Sequence, residues 1–72
     1  MKITPEFRDR LNDLIEARKL TNEQCVMIFG ISAKALHNAR THGIHPTSRV
    51  LSRMENFFGV TNEYLLGLTD NK

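Results

Sequence analysis

The sequence predicts a compact all-α domain of five short helices, and three observations predict it. Apolar residues recur at helical spacing along most of the chain, no run alternates long enough to form a strand, and each expected helix opens on a capping residue. Seventy-two residues make one domain, 1–72, with a thin core, because a chain this short buries only about 60% of the surface it exposes when unfolded. With 40% hydrophobic and 25% charged residues, the composition is that of a globular domain rather than a disordered chain.

The first helix runs from Pro5 to about Arg18. Thr4 caps it, and Pro5 takes the first helical position, where a missing N–H costs nothing. Phe7, Leu11, Leu14 and Ile15 fall on one stripe of a 3.6-residue period. Glu6 and Asp9 suit the positive end of its dipole, Arg18 and Lys19 the negative end. Thr21-Asn22-Glu23-Gln24 is a capping box that opens a second helix through Phe29. Gly30 ends that helix, and Ser32 caps a third from Ala33 to about Thr41. Two short helices joined by so tight a turn form the strongest organisational signal in the chain.

Residues 43–46 read as a loop, with Pro46 holding His45 extended. Thr47 caps a fourth helix, Ser48–Phe58, closed by Gly59. Its inward face is Val50, Leu51, Met54 and Phe58, with Phe57 at the margin, packed against the last helix or offered to a partner. Thr61 caps a fifth, Asn62–Leu66, from which Tyr64, Leu65 and Leu68 pack back onto the first helix.

Charge placement says more than the net charge of +2. Residues 31–54 hold Lys34, Arg40, Arg49 and Arg53 and no acid, while the rest sets six cations against all eight acids, a balance of −2. His37, His42 and His45 lie in the same basic stretch, which suits a surface that meets a polyanion. The lone Cys25 excludes an internal disulfide and a four-cysteine zinc site, and its position on the second helix places it in the core. Met27 and Met54 read as core or edge fillers. His42 and His45 read as loop residues, His37 stands more than a helical turn earlier, and no carboxylate accompanies them, so no metal is expected. No carboxylate pair, nucleophile–base arrangement or phosphate-cradling glycine loop points to an enzyme or a cofactor. No apolar run approaches the roughly 20 residues of a membrane span, and the start of the chain has no signal-peptide core, so a cytoplasmic protein is expected.

Asn22, Val26, Gly30, Ile31 and Leu36 carry the spacing of a helix-turn-helix at about 22–41. With "LT" before the second helix, "GIS" at the turn and "FFGVTNEYLLGLTDN" near the end, the chain resembles the lambda-repressor-like Cro/repressor family (the xenobiotic-response-element type) over about residues 7–70. The closing phrase looks like that of phage repressors. The resemblance implies a recognition helix at 33–41 lying in the major groove of double-stranded operator DNA. On it, Ala33, Lys34, His37 and Asn38 match the family's base-facing positions. Asn22 and Ser32 match its phosphate-contacting helix starts, and Arg40, His42, His45 and Arg49 stand where backbone-neutralising groups are expected.

Two functions follow from that resemblance. One is a transcription regulator of a phage lysis/lysogeny-like switch, forming at most a weak homodimer through its last helices, with Phe57, Leu66 and Leu68 as candidate contacts. The other is an anti-repressor (modulator of repression) of the same fold, which binds the DNA-binding domain of a partner phage repressor and occludes its DNA surface. Departures from the family pattern motivate the second, together with the small net charge: Ala33 and Ala35 replace longer polar residues and Ala39 an aromatic one.

Overall fold

The computed structural model describes residues 5–71, an all-α domain. Its helices are α1 (Pro5–Ala17), α2 (Asn22–Phe29), α3 (Ala33–His42), α4 (Ser48–Phe58) and α5 (Asn62–Leu65). Thr4, the expected cap of α1, lies outside the described residues.

Local chemistry sets the starts of the other four helices. The Gln24 backbone N–H donates to Thr21 Oγ1 at 3.1 Å and the Thr21 N–H to Gln24 Oε1 at 2.9 Å, a complete capping box. Ser32, Thr47 and Thr61 accept from the N–H of Ala35, Val50 and Tyr64 at 3.1, 3.4 and 3.1 Å. Gly30 closes α2 at φ 65°, ψ 36°, a left-handed conformation that costs an L side chain roughly 1–2 kcal/mol. α1 ends differently. Lys19, at φ 54°, takes the left-handed position itself, its N–H donating to the Glu16 carbonyl and that of Leu20 to the Ile15 carbonyl.

The core draws on every helix. Phe7, Leu11 and Ile15 of α1 meet Cys25 and Phe29 of α2, Leu36 and Ala39 of α3, Met54 and Phe58 of α4, and Leu65 of α5. Truncating any of the large ones would cost about 2–5 kcal/mol, close to the whole stability of a small domain.

Three expectations are corrected. Met27, expected as a core or edge filler, is 82% exposed, because α2 buries Cys25 and Phe29, and the residue between them in the turn points the other way. Leu68 is 74% exposed rather than packed on α1. α5 ends at Leu65, and the Leu68 N–H turns back to the Glu63 carbonyl at 2.8 Å. Phe57 packs on α2 rather than on the last helix: its ring meets Phe29 edge-on at 5.8 Å, and the Arg18 guanidinium lies 4.9 Å from its centroid.

Arg10 ties the C-terminal segment to α1. Its guanidinium stacks 4.3 Å above the Tyr64 ring and donates to the Tyr64 carbonyl and to Asp70 Oδ1, each at 2.7 Å, and to the Thr69 carbonyl.

Candidate nucleic-acid interface

α3 buries Leu36 and Ala39, and everything else about the site follows from that choice. At 3.6 residues per turn, the stripe opposite them is Lys34, His37, Asn38 and Thr41, with Ala33 at its start. Ala33, Lys34, His37 and Thr41 are exposed and Asn38 is half-buried. Thr41 was legible from the spacing, four residues after His37 and seven after Lys34, yet the base-facing set did not include it. Ser32 sits exposed at the head of the stripe with its hydroxyl already engaged as the helix cap.

His42 belongs to α3 rather than to the loop. Gly43, at φ 71°, caps the helix one residue later than expected, its N–H reaching the Ala39 and Asn38 carbonyls. The His42 ring stands edge-on to His37, 6.3 Å between centroids, so two histidines share this end of the exposed face. His45 lies elsewhere. Expected to face phosphate, it is half-buried, its ring 4.9 Å edge-on from the fully buried Phe7. Among the described residues no group of three or more His, Cys, Asp or Glu side chains is placed to hold a metal ion.

Arg40 is a strut between helices rather than an outward cation. Its Nε donates to Asn12 Oδ1 at 2.7 Å and its Nη1 to Asn22 Oδ1 at 2.6 Å, while Asn12 Nδ2 donates back to the Arg40 carbonyl at 3.0 Å. α1, α2 and α3 are thereby joined by one guanidinium. No sequence signal marks Asn12, which is 28 residues away. The strut also orients Asn22: with its carbonyl oxygen held by Arg40, its amide N–H groups are turned away from that bond at the head of α2. Cys25 feels the same charge. Burial pushes its thiol pKa up and the Arg40 charge partly opposes that, so at neutral pH the group is a thiol packed in the core.

Arg49 is exposed on α4, and Arg53, one turn further on, lies with its guanidinium over Gly30. Neither makes an ion pair among the described residues, whose only pairs are Arg8–Asp9 and Arg10–Asp70. Glu55, the first acid beyond the basic segment, accepts from Asn62 Nδ2 at 3.1 Å. The acid-free segment thus meets solvent as a surface of cations, histidines and neutral polar groups.

Beside α3 runs an open groove of about 840 Å³. Ile31, Ala35, Ile44, Pro46, Leu51 and Leu66 give it an apolar floor, with Asn38 and Asn62 among its polar walls. Of the three residues expected at an oligomer contact, Leu66 lines this groove half-buried, Leu68 is exposed at the chain end, and Phe57 is taken up by its own core.

No protein-family model matches the chain, and no curated protein matches it at a significant level.

Proposed function

We propose that the chain is a transcription regulator of a phage-type genetic switch that binds double-stranded operator DNA in the cytoplasm of a bacterial host. The observation that carries this reading is the outer stripe of α3. Lys34, His37, Asn38 and Thr41 stand on a capped helix directly after the Gly30 turn, on a stretch without a carboxylate. A helix is about 10–12 Å across and the major groove about 12 Å wide. In that groove Lys34 donates to guanine O6 or N7, and Asn38 pairs with the N6 and N7 of adenine. The Ala33 methyl suits contact with a thymine methyl, so few bases are read directly. Asn22, oriented by Arg40, donates to a backbone phosphate from the head of α2, and Arg49 neutralises a second.

The test separates the two kinds of contact. Asn38→Ala relaxes base preference at one position by about 1–3 kcal/mol, and Arg49→Ala weakens binding to all sequences alike. If neither substitution changes DNA affinity, α3 is not reading DNA.

A protein-directed reading has its own observation in favour: the apolar groove beside α3, whose lining includes Ala35 near the helix start. On it the chain is an anti-repressor, docking on a repressor's DNA-binding domain while Lys34 and Arg49 pair with acids of that partner. Its mark is tight complex formation with a repressor, alongside DNA affinity that is weak and indifferent to sequence.

A further inference from the structure

Arg49 and Arg53 stand one turn apart on α4 and share a pocket of about 540 Å³ with Thr47, Val50, Phe29 and Gly30. No acid lines it, and neither arginine has a hydrogen-bond or ion-pair partner among the described residues. The Arg53 guanidinium occupies the space a Cβ at residue 30 would fill, so only a glycine at the α2–α3 turn lets it lie there. Two arginines lining one concave site without a carboxylate are suited to an oxyanion, since planar guanidinium N–H pairs match phosphate oxygens.

We propose that this pocket is a phosphate clamp, in which Arg49 and Arg53 together grip one backbone phosphate of bound DNA beside the α2–α3 turn. The proposal rests on the DNA-binding reading above and extends it to a residue, Arg53, and a site outside the recognition helix. Both arginines project from one rigid helix, and Gly30 belongs to the turn that launches α3. A phosphate held here fixes the position of α3 along the groove, which is how backbone contacts set register without reading sequence.

Two measurements judge it separately from the parent reading. First, the full chain is titrated with pyrophosphate by ¹H–¹⁵N NMR. Shifts are expected at the Gly30 amide and at the Nε of Arg49 and Arg53, and those at Gly30 and Arg49 vanish in Arg53→Ala, whose exposed site leaves the fold intact by circular dichroism. Unmoved resonances overturn the pocket, whatever the chain does with DNA. Second, affinity for a random duplex is followed against salt. One shared phosphate predicts that the slope of log K against log salt in Arg49→Ala/Arg53→Ala falls by about 0.9 in magnitude from wild type. No change removes DNA from the pocket, and a fall near 1.8 replaces the shared clamp with two independent contacts. A wild-type chain with no salt-dependent DNA affinity refutes the DNA-binding reading and the clamp's DNA occupant with it, while the pyrophosphate titration still decides whether the pocket binds an oxyanion.

Discussion

Replacing Arg40 by Met isolates the strut that joins three helices. Methionine keeps the apolar stem and removes only the guanidinium donors. Two bonds are lost: Nε to Asn12 Oδ1 at 2.7 Å in a half-buried setting, and Nη1 to Asn22 Oδ1 at 2.6 Å on the surface. A hydrogen bond to a charged group contributes about 1.5–3 kcal/mol when shielded, and much less where water replaces it. The Asn12 arm therefore dominates, and Arg40→Met should destabilise by about 1.5–2.5 kcal/mol. For a domain of this size that is a fall in Tm of roughly 6–20 °C. Urea unfolding followed by far-UV circular dichroism measures it, with an unchanged m-value expected, since the surface exposed on unfolding is the same. A double-mutant cycle adds a sharper test: coupling of Arg40 to Asn12→Ala should be about 1 kcal/mol and to Asn22→Ala below about 0.5 kcal/mol. A loss under about 0.5 kcal/mol for Arg40→Met, or stronger coupling to Asn22, refutes the strut.

Three further outcomes are expected. Cys25 has a raised pKa in the fold, so the unfolded chain ionises first as pH rises; the stability this contributes is complete below the ordinary thiol range and is lost above it. Cys25→Ala should flatten the alkaline limb of a stability–pH curve, and an identical limb in both proteins would count against a buried, protonated thiol. Lys19→Gly removes a left-handed lysine and should raise stability by up to about 1 kcal/mol in urea unfolding, less the extra entropy glycine brings to the unfolded chain; a loss would contradict the backbone assignment. Arg10→Ala should free the C-terminal segment, seen as faster amide exchange at Leu68 and Asn71 with α2 and α3 unaffected; unchanged exchange there would mean Arg10 does not hold it.

The sequence was legible wherever a signal acts over three or four residues. Thr21 and Gln24 cap each other, Ser32 and Thr47 open their helices, and the spacing of Val50, Met54 and Phe58 marks the inner face of α4 without reference to anything distant. It was not legible where a side chain chooses a partner far along the chain. Arg18 reads as a charge for the end of its own helix, yet it covers Phe57 and donates to the Phe58 carbonyl at 3.3 Å. Arg40 reads as a surface cation until Asn12 and Asn22 are brought to it. His45 has no local reason to face inward, and Phe7 supplies it. Met27 was misplaced for a subtler reason: an eight-residue helix offers only two turns of pattern, and apolar residues at 25, 26, 27, 28 and 29 leave its inner face undetermined. At the candidate interface Lys34, His37 and Asn38 were singled out by the resemblance alone, whereas Arg53 is defined by its approach to Gly30, a tertiary fact.

The central claim, that α3 reads operator DNA, is tested most directly by titrating the purified chain against random and genome-derived duplexes at 50 and 200 mM salt. The account predicts one preferred short site and, for the two phosphate contacts it assigns, a roughly tenfold loss of affinity between the two salt concentrations. Weak binding that is equal across sequences and shallow in salt, together with a tight complex with a repressor's DNA-binding domain, would contradict it and make the chain a protein-directed regulator.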